Sequence, residues 1–452
     1  MKRILVANRG EIACRVIRAA QKLGLEAVAV YSDADANALH VEIADKAVRI
    51  GPAPVSESYL RQEAVIAAAK ESGADAIHPG YGFMAENAGF ARAVGAAGLI
   101  WIGPRPGTIE DMGDKQRSRR LAEAAGLPIA TGSERFEPDA LDGLEAAGEL
   151  VGYPLLVKAA AGGGGIGMRR VDRPETLRKT VEATQSMATR SFGDGAIYLE
   201  KFIAKARHVE IQVFGLGDGR AVHLFERDCS LQRRFQKIVE ESPAPGFSAK
   251  TIKGMAEAAR ALAAAERYSG AGTVEFVADA DTGDYYFLEM NTRIQVEHPV
   301  TEMITGCDLV GLQIRLAGGE DLHEELTAVR SSGAAVECRL YAENPAKNFL
   351  PAPGMLSVFD LPTGMEGIRI DTGVRTGDAI TPYYDPMIAK FIAWGADRDT
   401  AIDRLRAALA ATQIEGVTTN LAFLQTVLDT PEFRSGAIWT GFVEERLKSL
   451  VG

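Results

Sequence analysis

Cysteine is scarce in this sequence, and its four copies lie far apart in the chain. They form no Cys-x-x-Cys pair, the spacing typical of zinc sites and redox motifs, and no closely spaced set that would indicate a disulfide framework. Long apolar runs are also missing, because charged residues interrupt every candidate signal peptide or membrane span. We therefore expect reduced thiols and a protein that is cytoplasmic rather than exported or membrane-spanning. The cysteines are Cys14, Cys229, Cys307 and Cys338.

An excess of positive charge is absent as well. The 50 Lys and Arg residues are outnumbered by 61 Asp and Glu residues, which gives a formal net charge of -11. This balance argues against the basic surface that binding to a phosphate backbone requires, so nucleic acid is not an expected partner. Hydrophobic residues at 46% and charged residues at 25% are typical of soluble globular proteins. A chain of 452 residues predicts two to four domains rather than one core.

The first hundred residues alternate between strand-like and helix-like patterns. Residues 3–8 form a short apolar run, residues 11–22 carry apolar side chains at helical spacing, and residues 26–31 are again strand-like. This alternation predicts an open α/β domain with a parallel sheet. The sequence HPGYGF at 78–83 follows a predicted strand and is a candidate binding loop; the alternative is a turn with packing aromatics. A helix is predicted over residues 111–125, and it carries Lys115.

A glycine-rich segment follows the predicted strand at 153–158. Gly162, Gly164 and Gly167 match the weak G-x-G-x-x-G pattern, but a strand-like stretch and Pro174 follow where a dinucleotide site would begin a helix. The segment also lacks the Gly-Lys-Ser/Thr of a phosphate-binding P-loop. Consecutive glycines favour a mobile loop with exposed amides. We interpret it as a lid over phosphates beside Lys158, with a plain linker as the alternative.

A predicted hairpin at residues 272–298 carries paired carboxylates. A three-residue loop centred on Thr282, with Gly283 in the left-handed conformation, places Glu275 opposite Glu289. Like charges at directly opposed positions are destabilising unless something compensates them, and a divalent cation would do so. Carboxylate and amide oxygens, here including Asn291, are the ligands that magnesium prefers.

If the second strand stays extended to residue 297, its polar side chains share one face. Those residues are Glu289, Asn291, Arg293, Gln295 and Glu297. The alternative is the solvated face of an edge strand. A second polar cluster, at residues 226–246, reads as a loop-like segment whose basic side chains suit phosphate oxygens; an ordinary charged surface loop is equally consistent with it. Its basic residues are Arg227, Arg233, Arg234 and Lys237.

Eight motifs in order resemble those of the biotin carboxylases, members of the ATP-grasp ligases, over essentially the whole chain. They are ANRGEIA at 7–13, HPGYGF at 78–83, MGDK at 112–115, KAAAGGGGIGM at 158–168, ERDCSLQRR at 226–234, EMNTRIQVEHPVTE at 289–302, VECR at 336–339 and YYDPMIAK at 383–390. Each motif alone is weak, whereas the ordered set is specific.

The resemblance implies a multi-domain α/β and α+β fold: an N-terminal open parallel α/β domain at 1–110, an ATP-grasp core with a glycine-rich mobile lid, and a C-terminal α+β domain at 333–447. The ATP-grasp domain would span 111–320, with its lid subdomain at about 131–203. The implied reaction is ATP- and bicarbonate-dependent carboxylation of biotin through carboxyphosphate. Alternatives are another ATP-grasp ligase or a non-catalytic nucleotide-binding subunit.

The resemblance also assigns roles to individual residues. It implies that ATP contacts Lys115, Lys158, Gly163, Gly164, Gly165, Glu200, Lys201, Ile203, His208, Gln232, Glu275 and Glu289. It implies that Glu275, Glu289 and Asn291 hold Mg²⁺ or Mn²⁺. Bicarbonate and biotin would meet Lys237, Arg293, Gln295, Val296, Arg339 and Tyr81, with Arg293, Glu297, Lys237 and Arg339 as the catalytic set.

The expected partners follow from the resemblance and from the missing biotin-acceptor motif. The sequence has no Met-Lys-Met, so we expect biotin to arrive on a separate carboxyl carrier protein and to pass to a carboxyltransferase subunit, and we expect a homodimer. The final carboxyl acceptor is not encoded in these motifs.

Three positions depart from the family pattern. Ile166 stands where Arg is usual, Phe235 where His would touch the ribose, and Ala335 where His is common. None of the three is an expected metal ligand or catalytic residue.

Overall fold

The structure is a computed structural model that describes residues 1–160 and 167–451. Its N-terminal part is a five-stranded parallel sheet with strand order β3-β2-β1-β4-β5, which confirms the predicted open α/β domain. The strands are β1 Arg3–Val6, β2 Glu26–Ser32, β3 Lys46–Gly51, β4 Ala76–His78 and β5 Ile100–Trp101. The helices are α1 Gly10–Lys22, α2 Leu39–Ile43, α3 Gln62–Ser72 and α4 Ala88–Ala96. Within the described ranges, no helix is both long and apolar enough to cross a bilayer.

Two helices, rather than the single one predicted over 111–125, follow this domain. They are α5 Pro106–Gly113 and α6 Lys115–Ala124. The helical conformation is interrupted at Asp114, which adopts an extended backbone conformation. Asp114 caps α6 by accepting a hydrogen bond from the amide of Arg117. Because of this break, Lys115 is the first residue of a helix instead of an interior one.

A small subdomain follows, with an antiparallel three-stranded sheet and two helices. Its elements are α7 Leu144–Val151, β6 Leu155–Ala159, β7 Met168–Val171, α8 Leu177–Phe192 and β8 Ile197–Lys201. It has a hydrophobic core of its own, which includes Leu144, Val157, Val181 and Leu199. The central glycines of the predicted lid lie outside the described residues.

The rest of the chain consists of strands and helices that follow one another in no regular alternation. The strands are β9 Ala206–Leu216, β10 Ala221–Arg233, β11 Gln236–Ser242, β12 Ser269–Asp279, β13 Tyr285–Asn291, β14 Ala334–Tyr341, β15 Glu343–Asn344, β16 Leu350–Pro351, β17 Gly354–Met355, β18 Val358–Asp360, β19 Ile368–Thr372, β20 Ala379–Ile380, β21 Met387–Gly395 and β22 Gln413–Glu415. The helices are α9 Ala249–Ala265, α10 His298–Thr305, α11 Leu309–Ala317, α12 His323–Thr327, α13 Arg398–Ala410, α14 Leu421–Leu428, α15 Pro431–Arg434 and α16 Phe442–Leu450.

One eight-stranded sheet dominates this region, with the order β13-β12-β9-β10-β11-β14-β21-β19. Every neighbouring pair in it is antiparallel. The pairing of β11 with β14 joins strands from the predicted ATP-grasp and C-terminal domains. The sheet is therefore continuous across that predicted boundary.

The basic segment at 226–246 is not the loop that its composition suggested. It forms most of strands β10 and β11, joined by a tight turn in which Arg234 and Phe235 have positive φ. Arg227 is fully buried and pairs with Glu210 at 2.6 Å, and Arg233 forms an ion pair with Glu343. Because buried partners neutralise these arginines, the strand carries charges that normally mark an exposed loop.

Candidate active site

A cavity of about 680 Å³ lies where the N-terminal domain, the small subdomain and the eight-stranded sheet meet. Its volume falls within the range of roughly 300–1,000 Å³ typical of small-molecule sites. Most of the predicted site residues line it: Tyr81, Lys115, Lys158, Glu200, His208, Gln232, Lys237, Glu275, Glu289, Asn291, Arg293, Gln295, Val296, Glu297 and Arg339. Exposed Lys201 and buried Ile203 are outside that set, and Gly163, Gly164 and Gly165 lie outside the described residues.

The hairpin places its two glutamates opposite each other, as predicted. In the β12–β13 register Glu275 pairs with Glu289, and Thr273 pairs with Asn291. The predicted three-residue loop is wrong, because residues 280–284 separate the strands, with Gly283 at φ +76°. A bulge next to Glu275 shifts the register by one residue and so restores the expected pair.

The extended strand that was expected to reach residue 297 ends at Asn291. The polar residues after it nevertheless line the cavity, because hydrogen bonds hold their side chains together. Arg293 donates from Nη2 to Asn291 Oδ1 at 3.0 Å and from Nη1 to Gln295 Oε1 at 2.8 Å. Gln295 in turn donates to Glu275 Oε1 at 3.0 Å. A local network therefore replaces the strand alternation on which the prediction rested.

Lys237 is the cation at the centre of the site. Its Nζ lies 2.6 Å from Glu210, 2.7 Å from Glu275 and 2.8 Å from Glu297. Burial alone would lower the pKa of Lys237, but the three carboxylates raise it well above its usual range. Lys237 is therefore a fixed positive charge next to the space where an anion would bind.

Glu297 is fully buried between two cations. One of its oxygens contacts Lys237, and the other accepts a hydrogen bond from Arg339 Nη2 at 3.0 Å. Burial would raise the pKa of Glu297, yet Lys237, Arg339 and Arg227 together hold it well below its usual range. The carboxylate is thus ionised and able to accept a proton from a bound substrate.

Basic side chains line the opposite end of the cavity. Lys158 on β6 forms an ion pair with Glu200 on β8, and Arg119 Nη1 lies 3.1 Å from the other Glu200 oxygen. Lys115 also lines this part of the wall. These cations suit the phosphate groups of a nucleotide.

His208 connects the two ends of the cavity. Its Nε2 lies 2.8 Å from Glu275 Oε2, and its Nδ1 is 3.0 Å from Gln232 Nε2. Burial lowers the pKa of His208, but the Glu275 charge outweighs it, so the pKa is raised overall. Burial raises the pKa of Glu275, but the charges of Lys237 and His208 lower it by more, so the pKa of Glu275 is lowered overall.

The paired glutamates fit a divalent cation by the chemistry of their donor atoms. Glu275 and Glu289 present carboxylate oxygens on facing positions of one hairpin, and Asn291, two residues after Glu289 on β13, adds an amide oxygen. Glu289 is exposed to the cavity, whereas Glu275 is buried. Oxygen ligands in this number leave room for phosphate oxygens and water, which is how Mg²⁺ is usually held.

Family models match three consecutive parts of the chain. Residues 1–109 match the N-terminal domain of biotin carboxylase, residues 114–325 match the ATP-binding domain of the carbamoyl-phosphate synthase L chain, and residues 337–445 match the biotin carboxylase C-terminal domain. Biotin carboxylase 1 of Bacillus subtilis is 48% identical over 444 residues, which cover 98% of both chains. This chain belongs to the biotin carboxylase family.

Other relatives and solved structures of biotin carboxylases agree with this assignment. The α subunit of methylcrotonoyl-CoA carboxylase from Oryza sativa subsp. japonica is 49% identical over 451 residues, all of this chain but 61% of the relative. The biotin carboxylase domain dimer of Hydrogenobacter thermophilus 2-oxoglutarate carboxylase, solved with MgADP, ADP and bicarbonate, gives a TM-score of 0.93 at 44% identity and covers 100% and 98% of the two chains. Biotin carboxylase from Campylobacter jejuni gives 0.91 at 42%, with 98% coverage of both.

The three departures from the biotin carboxylase pattern have different surroundings. Phe235 lines the cavity with 57% of its surface exposed. Ala335 is fully buried and packs with Val300 and Ile304 of α10, so its small side chain belongs to the core. Ile166 lies outside the described residues.

Sequence reasoning missed several charged residues of the site. Glu210 had a detectable signal, because it alternates with His208 and Gln212 along one strand face. Arg119 follows Lys115 by four residues and shares its helix face. Lys390, which donates to the carbonyl of Val296 at 2.7 Å, and Glu11, 3.4 Å from Lys390, come together only through the tertiary fold.

Proposed function

We propose that this chain catalyses the ATP- and bicarbonate-dependent carboxylation of biotin, giving carboxybiotin, ADP and phosphate. The observation that carries the proposal is the convergence of Lys237, Glu297 and Arg339 beside the Glu275–Glu289 pair in one cavity. Family membership supports the same reaction. The two alternatives, another ATP-grasp ligase and a non-catalytic subunit, have no observation that favours them.

The first step needs a base for bicarbonate and a positive environment for the attacking oxygen. In the proposal Glu297 accepts the bicarbonate proton while Lys237, Arg293, Gln295 and the Val296 backbone hold the anion. The freed oxygen attacks the γ-phosphorus of ATP, the bond to the β-phosphate oxygen breaks, and carboxyphosphate and ADP form. Positioning and charge neutralisation account for most of the rate in such phosphoryl transfers.

The nucleotide end is assigned in the same way. Lys115 and Lys158 would contact phosphates, with Glu200 setting the position of Lys158 through their ion pair. Glu275, Glu289 and Asn291 would hold Mg²⁺, which neutralises phosphate charge when it is bound. His208 and Gln232 line the wall beside them. Gly163, Gly164 and Gly165 are proposed to contact ATP.

The second step transfers the carboxyl group to biotin. Carboxyphosphate separates into carbon dioxide and phosphate, the phosphate takes the ureido proton, and the biotin nitrogen attacks carbon dioxide. Arg339 would stabilise the oxyanion of the deprotonated ureido group. Tyr81, which donates a hydrogen bond to Glu11 at the edge of the cavity, would flank the biotin ring.

The partners follow from the architecture of the relatives. The chain spans about three fifths of the length of several carboxylase subunits that it matches. We propose that a separate biotin carboxyl carrier protein delivers biotin, that a carboxyltransferase subunit consumes carboxybiotin, and that the chain forms a homodimer. We also propose domain limits at 1–110, 111–320 and 333–447, with the lid at about 131–203.

The test is phosphate release from MgATP by the purified chain, with bicarbonate and free biotin supplied separately and together. Release that requires bicarbonate and is stimulated by biotin, with labelled bicarbonate recovered in carboxybiotin, is the expected result. The isosteric variant Glu297→Gln should lose this release while still binding ATP. ATP binding without stimulation in the unmodified chain would contradict the proposal.

A further inference from the structure

Another pair of directly opposed glutamates lies behind the cavity. Strands β11 and β14 place Glu240 opposite Glu337, and both residues are fully buried. Opposed side chains on adjacent strands have Cβ atoms about 5 Å apart, and two like charges there are destabilising. Among residues 1–160 and 167–451, neither oxygen of Glu337 has a hydrogen-bond partner. A carboxylate so placed is costly to ionise.

Arg339 connects this pair to the proposed base. Its Nη2 lies 2.6 Å from Glu240 Oε1 and 3.0 Å from Glu297 Oε2. Arg339 follows Glu337 by two residues, so both side chains leave the same face of β14. The Arg339 guanidinium therefore contacts the carboxylates of Glu240 and Glu297, and the carboxylate of Glu337 lies on the same face of β14.

The other nearby cations are already engaged. Lys237 contacts three carboxylates, Glu210, Glu275 and Glu297. Lys390 donates to the carbonyl of Val296 and lies 3.4 Å from Glu11. A proton is the remaining means of relieving the negative charge of the Glu240–Glu337 pair.

We propose that Glu337 holds a proton while Glu240 ionises, and that Glu240 is a positioning residue that sets how strongly Arg339 pairs with Glu297. This inference rests on the proposed function. When Glu240 is ionised, the charge of Arg339 is divided between two carboxylates, so Glu297 remains a stronger base. When Glu240 is protonated, Arg339 acts on Glu297 alone and weakens its ability to take the bicarbonate proton.

The electrostatics of the pair agree with this division of roles. Burial raises the pKa of Glu240 to about 7, although Arg339 lowers it. Burial also raises the pKa of Glu337 well above its usual range, against the opposing charge of Lys390. Glu337 is accordingly neutral where Glu240 titrates.

The titratable groups around the pair come from five elements and the loop before α10. They are Arg339 on β14, Lys237 on β11, Cys229 on β10, Lys390 on β21, Glu297 in that loop, and His298 and Glu302 on α10. The opposite face of β14 packs against apolar residues of α13 and α14. The pH dependence must therefore be compared between variants rather than read from one profile.

The first test is kcat/KM for bicarbonate in phosphate release, measured from about pH 6 to about pH 9. Glu240→Gln and Glu337→Gln make the same chemical change on opposed strands, so each is the control for the other. Dividing the kcat/KM of each variant by that of the unmodified enzyme at the same pH cancels the titration of bicarbonate and ATP. For Glu240→Gln the ratio should be near one at the acid end and fall to about one tenth at the alkaline end, because one pKa unit in the base is about tenfold. For Glu337→Gln the ratio should not change with pH, since a neutral amide replaces a neutral acid. A flat ratio for Glu240→Gln, or the same slope for both variants, would overturn the proposal.

The second test does not depend on turnover. Infrared spectra at about pH 8 should contain a carbonyl-stretch component of a protonated buried carboxyl that is present in the unmodified protein and in Glu240→Gln but lost in Glu337→Gln. Retention of that component in Glu337→Gln would refute the assigned proton. If the unmodified chain releases no bicarbonate-dependent phosphate, the proposed function fails, while the infrared result still decides where the proton lies.

Discussion

Among the directly opposed glutamates of the eight-stranded sheet, two pairs differ in what surrounds them. Glu275 and Glu289 face each other on β12 and β13, and Glu240 and Glu337 face each other on β11 and β14. Glu289 opens to the cavity and Glu275 accepts hydrogen bonds from Asn291 and Gln295. In the second pair both side chains are fully buried.

In these two pairs the repulsion between the carboxylates is relieved differently, and the difference follows their access to the cavity. Lys237 and His208 outweigh burial and lower the pKa of Glu275, so this residue stays ionised and can bind a cation. For Glu240, burial outweighs Arg339 and raises the pKa to about 7. The same arrangement of residues thus suits a metal ion where the cavity reaches it and a proton where it does not.

The largest effect is expected from Glu289→Gln, which would break the first pair. Loss of one of its two carboxylates should reduce Mg²⁺-dependent phosphate release by on the order of 10²- to 10³-fold and leave the fold intact. Steady-state release as a function of Mg²⁺ concentration measures this change. Asp284→Asn, on the exposed loop of the same hairpin, is the matched control and should retain full activity. Near-normal turnover of Glu289→Gln would remove the metal assignment.

Arg339→Ala acts on the second pair and on the base together. Biotin-dependent turnover should fall by about 10²-fold, because the oxyanion loses its cation, while the Kd for ATP changes by less than about threefold. Turnover and calorimetric ATP binding measure the two effects, and Arg339→Lys, which keeps the charge, should recover part of the activity. Equal losses of turnover and ATP binding would mean that Arg339 is structural.

The two pairs also differ in how far sequence could predict them. Glu275 and Glu289 belong to one hairpin, so a loop position and strand alternation were enough to pair them, even though the loop length was wrong. Glu240 and Glu337 lie far apart in the chain, and only the pairing of β11 with β14 brings them together. Strand alternation carries no information about such a long-range partner.

The basic residues illustrate the same limit. Arg227 and Arg233 looked like parts of a surface loop because their neutralising partners, Glu210 and Glu343, belong to other segments. Most residues that the family motifs single out nevertheless line one cavity, because the motifs name them one by one. The parallel N-terminal sheet was also predictable, because its apolar strands and amphipathic helices alternate locally.

The pH dependence of stability gives a sharper measure of the second pair. The pKa of Glu240 is raised from 4.5 to about 7 by burial, so ionisation disfavours the folded state. Glu240 therefore contributes favourably to the free energy of unfolding below about pH 4.5. This contribution is lost as the pH rises towards 7, which lowers the free energy of unfolding by about 3 kcal/mol. Urea unfolding at several pH values should show this loss in the unmodified protein relative to Glu240→Gln. A constant difference in the free energy of unfolding between the two proteins would contradict it.

The smallest effect is expected from Phe235→His, which changes the cavity wall without touching either pair. Phe235 cannot form a hydrogen bond, and its side chain is largely exposed, so stability should change by less than about 0.5 kcal/mol. One added hydrogen bond to the ribose should tighten ATP binding by about fivefold. Calorimetric titration with ATP and with 2′-deoxy-ATP tests this contact. Equal affinities for the two nucleotides in the variant would argue against it.

The hydrogen bonding of β11 to β14 has a consequence for dissecting this protein. Matches to separate family models suggest that the chain could be cut near residues 325–337. Such a cut would remove β14, β19 and β21 and leave β11 as an unpaired edge carrying the apolar side chains of Ile238 and Val239. Exposed edges of this kind pair with other chains, so the ATP-binding fragment alone should aggregate on expression. The smallest unit that can be produced as a soluble fragment therefore includes the strands of the C-terminal region.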